Sequence, residues 1–266
     1  MNAGPDAAGA LPQERQRAIL ERLNRDGRVF AANLAQEFQT SEDTIRRDLR
    51  ELATAGLCQR VYGGALPISP VSIPITVRRS EFGARKRALG AVLASLIRPG
   101  QFVFLDAGTT NLAAAQALPE GLGITVATHD PAIAACLVGR GGVELILLGG
   151  KVDPLSGAAS GANALRTAME MRPDLLLLGT CALDPAYGVA VFGYDDAEMK
   201  RLLVRGAGSV VTAVINDKLG TGAPHLVAPA DALSDIVVEA DAAEAPLEAL
   251  RALGMRVHRA AATQED

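Results

Sequence analysis

Cysteine is scarce: Cys58, Cys136 and Cys181 lie far apart, with no CxxC pair and no histidine at ligand spacing. A disulfide framework and a zinc site are both excluded, and the three are expected as small buried hydrophobes. No apolar run approaches the ~20 residues of a membrane-spanning helix, and the polar, small-residue stretch 1–10 does not read as a signal peptide. A cytoplasmic protein with no membrane partner is expected, with that stretch as a disordered lead-in. There is no excess of positive charge either. A formal net charge of −4 argues against a chain that coats nucleic acid non-specifically, although it leaves room for a local basic face. Internal repeats and low-complexity tracts are absent as well. What the chain does have is 266 residues, 49% of them hydrophobic, enough for a small domain and a medium one with real cores.

The most informative stretch is Asp106-Ala107-Gly108-Thr109-Thr110-Asn111. It follows an apolar run, 102–105, with the continuity of a strand buried on both faces, and precedes an Ala/Leu-rich helical pattern over 112–118. Such a turn offers free backbone N–H groups, two hydroxyls and the positive end of a helix dipole, which suits a phosphate or carboxylate. Gly108 would let the backbone approach the anion, and Asp106 would face sugar hydroxyls. The plainer reading is an ordinary turn in which Thr110 or Asn111 caps the helix.

The first sixty residues carry a second pattern. A helix is expected from Pro12, with Ile19, Leu20 and Leu23 as its apolar stripe and Asp26-Gly27 as its stop; a short strand follows at 29–30 and a second helix over 31–38. A third helix begins at Thr40-Ser41 with Glu42 and Asp43 in its first turn, and runs to Ala55. At ~100° per residue, Ile45, Leu49 and Leu52 share one face while Arg46, Arg47 and Arg50 share the other. Two helices joined by a short turn, the second presenting arginines, match a helix-turn-helix reading the major groove of duplex DNA. The segment after Gly56 alternates as a hairpin wing through Arg60, Tyr62 and Gly63-Gly64. The alternative is a solvated helix whose arginines simply pair with Glu42, Asp43 and Glu51.

A Pro- and Ser-containing hinge, 66–74, then leads to basic clusters at Arg78-Arg79 and Arg85-Lys86-Arg87. Those clusters read either as extra contacts to DNA phosphates or, more simply, as solvated helix ends. Beyond them, strands are expected at 102–105, 124–127, 144–148, 175–178, 209–215, 235–238 and 255–258. Helical patterns lie between most of them: 112–118, 131–138, 162–171, 197–205 and 247–253, with one more over 85–97 before the first strand. Alternating βα units imply an α/β domain with a mostly parallel, Rossmann-like sheet, whose ligands bind at the carboxyl ends of the strands.

The run from Ser41 to Leu52, containing Thr44-Ile45-Arg46-Arg47-Asp48-Leu49, together with the wing ending in Gly63-Gly64-Ala65, resembles the winged helix-turn-helix of the DeoR family of bacterial repressors. The resemblance implies DNA contacts from Ser41, Thr44, Arg46, Arg47, Arg50, Arg60 and Tyr62. Several later turns are similar to the sugar-phosphate-sensing domain of the same family: Asp106 to Thr110, Leu148-Gly149-Gly150, Glu198-Met199-Lys200-Arg201 and Asp217-Lys218 with Gly220. From these, effector contacts are expected at Asp106, Gly108, Thr109, Thr110, Asn111, Gly149, Gly150, Glu198, Lys200 and Lys218. His129 departs from the asparagine usual there, as does Thr180-Cys181-Ala182 from a more polar segment. The implied organisation is a DNA-binding domain over 11–66, a linker over 67–84 and a sensing domain over 85–259, in a homo-oligomer, dimer or tetramer.

That sensing domain also looks like ribose-5-phosphate isomerase, so catalysis is the rival reading. An aldose–ketose isomerase needs a carboxylate to move a proton. Where the isomerase has two aspartates after a buried strand, this chain has Leu178-Gly179-Thr180-Cys181. The expectation is therefore a transcriptional repressor of carbohydrate-metabolism genes, not an enzyme, controlled by a phosphorylated sugar and needing neither cofactor nor metal.

Overall fold

The computed structural model describes residues 11–61, 63–67, 75–81 and 83–263. Expectations for the lead-in 1–10, for Tyr62 and for most of the hinge fall outside them. The N-terminal unit consists of α1 (Pro12–Asp26), β1 (Val29–Phe30), α2 (Ala31–Glu37), α3 (Glu42–Thr54), β2 (Cys58–Val61) and β3 (Gly64–Pro67). Its core is Ile19, Leu23, Leu34, Phe38, Ile45, Leu49 and Leu52, the apolar stripes expected of the three helices. Arg15 reaches across from α1 to the buried Asp48 of α3, with Nε at 2.5 Å and Nη2 at 3.1 Å from the two carboxylate oxygens, and so fixes the crossing of these helices. The strands form a sheet in the order β1-β3-β2. Gly63 turns the hairpin at φ +80°, and Gly64 lies so close to β1 that a Cβ would stand 1.9 Å from the Val29 carbonyl oxygen. Hence the paired glycines of the wing.

The second unit begins with α4 (Ile75–Ser80) and α5 (Gly83–Ser95). Seven parallel strands follow: β4 (Phe102–Leu105), β5 (Ile124–Thr128), β6 (Val143–Leu147), β9 (Leu175–Leu178), β12 (Val210–Val214), β14 (Asp235–Val238) and β15 (Arg256–Arg259). They are the seven expected from sequence, ordered β15-β14-β12-β9-β4-β5-β6. Leu175 and Leu177 face the core shared with α5, α6 (Thr109–Ala117) and α7 (Pro131–Leu137). Leu176 and Leu178 face the core under α8 (Ala162–Met169), α9 (Tyr194–Gly206) and α10 (Glu244–Ala252). Burial on both faces is why the central strands β4 and β9 read as unbroken apolar runs, whereas the edge strands β6 and β15 are partly exposed and carry Glu144, Arg256, His258 and Arg259.

From β4 the chain builds outward through β5 to β6; from β9 it builds the other way through β12 and β14 to β15. The order reverses between β4 and β9, and a crevice is expected outside their carboxyl ends. Two elements were not expected. One is the hairpin β7 (Lys151–Val152) with β8 (Ala159–Ser160); the other is an antiparallel sheet of β10 (Ala182–Asp184), β11 (Gly188–Val191) and β13 (His225–Ala228). Both flank that crevice. Among the described residues, no helix is long and apolar enough to cross a membrane.

Candidate functional site

A cavity of about 330 Å³ opens at the carboxyl ends of β4 and β9. One wall is the start of α6, where Gly108 is the N-cap, so neither Thr110 nor Asn111 caps the helix by its side chain. The first intrahelical bond runs from Leu112 N–H to Gly108 O, leaving the preceding amides to partners outside the helix. The Thr109 and Thr110 hydroxyls have no hydrogen-bond partner among the described residues, and both line the cavity with Gly108 and Asn111. Lys218 enters from the short 3-10 turn 216–218 after β12; its Nζ donates to Thr180 O at 2.9 Å. No carboxylate lies within ion-pair distance of Lys218 among the described residues, so the cavity holds an ammonium group beside a helix N-terminus without a direct carboxylate partner, the charge of Asp217 acting on it only from farther off.

Asp106 sits elsewhere than expected. Its carboxylate is 0% exposed and does not line the cavity. Oδ1 accepts from the Ala107 amide at 2.8 Å and lies 2.9 Å from His129 Nε2. Oδ2 accepts from the Gly179 amide and from Lys200 Nζ, each at 2.8 Å. With four partners it is saturated, and it holds the wall instead of meeting a ligand. Gly179 makes the arrangement reachable, since a Cβ there would stand 2.4 Å from Ala107 O. Burial pushes the Asp106 carboxyl upward, but Lys200 and His129 outweigh it and keep the group at about 2. Burial likewise opposes the charge on Lys200, and Asp106 and Asp196 outweigh it there, raising its pKa. Lys200 does reach the cavity, bridging Asp106 to Asp196 at 2.6 Å.

Three other expected residues are not brought to the site. Gly149 and Gly150 line no part of it; Gly150 packs against Ser160 O, where a Cβ would approach to 2.4 Å, and starts the hairpin whose far strand closes the cavity through Ala159 and Ser160. That strand is tied to the wall by His129, whose Nδ1 lies 2.9 Å from Ala159 O and whose own carbonyl accepts from Ala159 N–H. Glu198 pairs with Arg201 at 2.6 Å, away from the cavity. Within the basic clusters Arg87 is exposed, but Arg78, Lys86 and Arg85 are not solvated helix ends. Arg78 lines the cavity and donates to Leu155 O at 2.8 Å, Lys86 is buried and donates to Arg78 O at 2.6 Å, and Arg85 is paired with the buried Glu239. Sequence reasoning missed Tyr194, Asp195 and Asp196 on the first turn of α9; the four-residue spacing from Asp196 to Lys200 was the available signal. Cys181 lines the cavity too, its thiol pushed up by burial. His225 and His258, which look isolated in sequence, contact the Tyr194 ring and the Asp235 carboxylate respectively. Among the described residues no group of three or more potential ligands is placed to hold a metal.

On the N-terminal unit, Ser41 caps α3 by accepting from the Thr44 amide at 3.2 Å. Arg46, Arg47, Arg50 and Arg60 are exposed. Arg46 pairs with Glu42 at 2.6 Å and Asp43 at 3.3 Å, and Arg47 with Glu51 at 3.5 Å. Exposed pairs of this kind are worth ~0.3–0.5 kcal/mol, so DNA phosphates can displace them.

Residues 15–71 match the DeoR-like helix-turn-helix domain, and residues 81–240 match the DeoR C terminal sensor domain. The chain belongs to the DeoR family. Its DeoR relatives include the HTH-type transcriptional regulator GlpR of Haloferax volcanii, 37% identical over 79% of this chain and 83% of that protein. The glycerol-3-phosphate regulon repressor of Escherichia coli K12 is 31% identical over 79% and 84%. The putative aga operon transcriptional repressor of Escherichia coli O157:H7 is 29% identical over 92% of each. Ribose 5 phosphate isomerase A from Neisseria gonorrhoeae is similar in structure over 50% of this chain and 52% of its own, at 12% identity and a TM-score of 0.36. As a DeoR-family protein with full-length relatives among transcriptional regulators, the chain is a DNA-binding transcriptional regulator and not an isomerase.

Proposed function

We propose that this regulator is a cytoplasmic repressor of carbohydrate-metabolism genes whose affinity for a double-stranded operator is set by a phosphorylated sugar in the cavity. The observation that carries the reading is Lys218, a cation with no ion-pair partner among the described residues, lining the same cavity as hydroxyls and first amides of α6 that have no partner among them either. Gly108, Thr109, Thr110, Asn111, Lys200 and Lys218 form the effector site. Ser41, Thr44, Arg46, Arg47, Arg50, Arg60 and Tyr62 face DNA, within a reader over 11–66 that is joined through 67–84 to a sensor over 85–259. The name of a relative that represses a glycerol-3-phosphate regulon supports a phosphorylated polyol or sugar as the ligand class. A winged module makes few phosphate contacts alone, so two or four copies acting on paired half-sites supply the affinity.

Coupling has a physical route. Arg78 stands on α4, close after the reader, and lines the cavity, so a bound anion pulls on the segment that leads to the DNA-binding unit. A coupling of ~1–3 kcal/mol changes operator affinity by about 5–150-fold. The test is operator affinity with and without saturating sugar phosphate, for wild type and Lys218→Ala. Wild type is expected to respond and the variant to lose the response. A variant that responds as fully as wild type takes Lys218 out of the site, and a wild type indifferent to every phosphorylated sugar rejects the sensing reading.

The site also carries a pH signature. Burial lowers the Lys218 ammonium below the ordinary lysine value, and Arg78 and Lys200 add repulsion. Lys86, behind it, is held at about 8 by burial and by the charges of Lys218 and Arg78. A phosphate monoester is already dianionic above its second ionisation at about 6, and it favours the protonated amines. Ligand affinity is therefore greatest between about 6, where the phosphate gains its second charge, and about 8, and falls as pH rises through about 8, by about tenfold per unit for one coupled proton. Calorimetric titration across that range checks it; a flat profile would show that neither lysine feels the ligand.

A further inference from the structure

The loop that leaves the Lys218 turn touches the reader directly. Gly222 N–H donates to the Asn24 carbonyl near the end of α1 at 2.8 Å. The loop itself is fixed at its start, where Gly220 N–H donates to Leu183 O at 2.7 Å and Thr221 Oγ1 to Lys218 O at 2.8 Å. The two backbones meet without room for a side chain. A Cβ on Gly222 would stand 2.7 Å from Gly27 N and 2.8 Å from Arg25 O, and one on Gly27 would stand 2.5 Å from Ala223 N. Gly27 is also the left-handed cap of α1, at φ +70°, so its lack of a side chain has a reason inside the reader. Gly222 has no positive φ; what excludes a side chain there is the reader alone.

We propose that residues 219–223 are a docking surface for the C-terminal end of α1: an intramolecular clasp that orients the reader on the sensor through the loop carrying Lys218. The clasp grips α1 and leaves Arg47 and Arg50 of α3 exposed, so it positions the recognition helix and does not cover it. Among the described residues the contact at Gly222 is one hydrogen bond and a close backbone approach, with Arg25 of α1 also near Tyr187 of the sensor, and it is weak enough to open and close. Its link to the ligand rests on the effector reading above, because movement of Lys218 toward an anion shifts a loop whose next few residues hold α1.

Amide hydrogen exchange on the full chain tests it, comparing wild type with Gly222→Ala and Gly222→Val. Protection at position 222, taken relative to each residue's intrinsic exchange rate, and in the last turn of α1 is expected to fall by about fivefold in the Val variant, the protection one ordinary hydrogen bond confers, and by less in the Ala variant. Unchanged protection of β12 and β14 shows that the sensor remains folded; should the Val variant lose it, the Ala variant decides. Equal protection at 222 and at the end of α1 in wild type and in a folded variant overturns the clasp. Inorganic phosphate is then added. Wild type is expected to change protection both at 109–111 and at the end of α1, and Gly222→Val only at 109–111. A response at 109–111 in wild type that does not reach α1, or one that reaches α1 in the Val variant, overturns the link between cavity and clasp. No response at 109–111 fails the anion-site reading instead, and the clasp stands or falls on the first comparison.

Discussion

Replacing Lys200 with Met is expected to destabilise the sensor domain by about 3–5 kcal/mol, the cost of breaking a buried ion pair from one side. The Asp106 carboxylate is 0% exposed and the Lys200 side chain 4% exposed, so neither charge can turn to water when the other is removed. In the variant Asp106 keeps two amides and His129, but it loses the cation that offsets burial, and Asp196 loses its partner as well. Equilibrium unfolding in denaturant gives the number, and a loss under about 1 kcal/mol would show the pair to be dispensable. The same pair gives wild type an acid limit. Because the folded carboxyl is held at about 2, below its ordinary value, its stabilisation is fully present above the usual carboxylate range. It is lost as pH falls toward about 2. In the variant burial pushes the carboxyl up without the lysine to oppose it, so this acid-dependent loss shrinks and the variant's deficit relative to wild type narrows as pH falls toward about 2.

That pair also shows where the sequence stops being readable. The central strands β4 and β9 were legible because burial on both faces leaves no polar interruption, and the recognition helix was legible because its two faces separate cleanly at the helical period. Asp106 was legible as a strand-end carboxylate, yet its direction was not. Whether it faces a ligand or the wall is decided by Gly179, which lies 73 positions away in sequence and comes within 2.8 Å only because β4 and β9 are neighbours. Arg85 is the same case on a longer scale: a local cluster of basic residues reads as solvated until Glu239, 154 positions later, is placed beside it. The antiparallel strands β10, β11 and β13 are too short, at three or four residues, for alternation to stand out. Tyr194 and the two aspartates after it reach the cavity because that small sheet delivers the chain to the start of α9. Motifs located the turns of this site; long-range pairing decided which side chains face inward.

Removing both Arg46 and Arg47 is expected to abolish specific operator binding while leaving the fold intact. Each arginine contact to a base or phosphate is worth ~1–3 kcal/mol, so the double substitution to Ala should cost at least about thirtyfold in affinity. The stability cost is small, for the Arg47 side chain is 78% exposed and, among the described residues, both are paired only with surface carboxylates one helical turn away. The contrast within the same helix is Asp48, whose bond to Arg15 is buried and holds α3 against α1; its loss would lower affinity by unfolding the reader. The double variant should therefore melt with wild type, which separates the two causes. Salt dependence then assigns the chemistry: two lost phosphate contacts reduce the slope of log affinity against log salt by about 2 and weaken all duplexes alike. Lost base contacts leave that slope unchanged and weaken the operator selectively. Wild-type affinity in the folded double variant would place the DNA-reading surface on another face of the N-terminal unit.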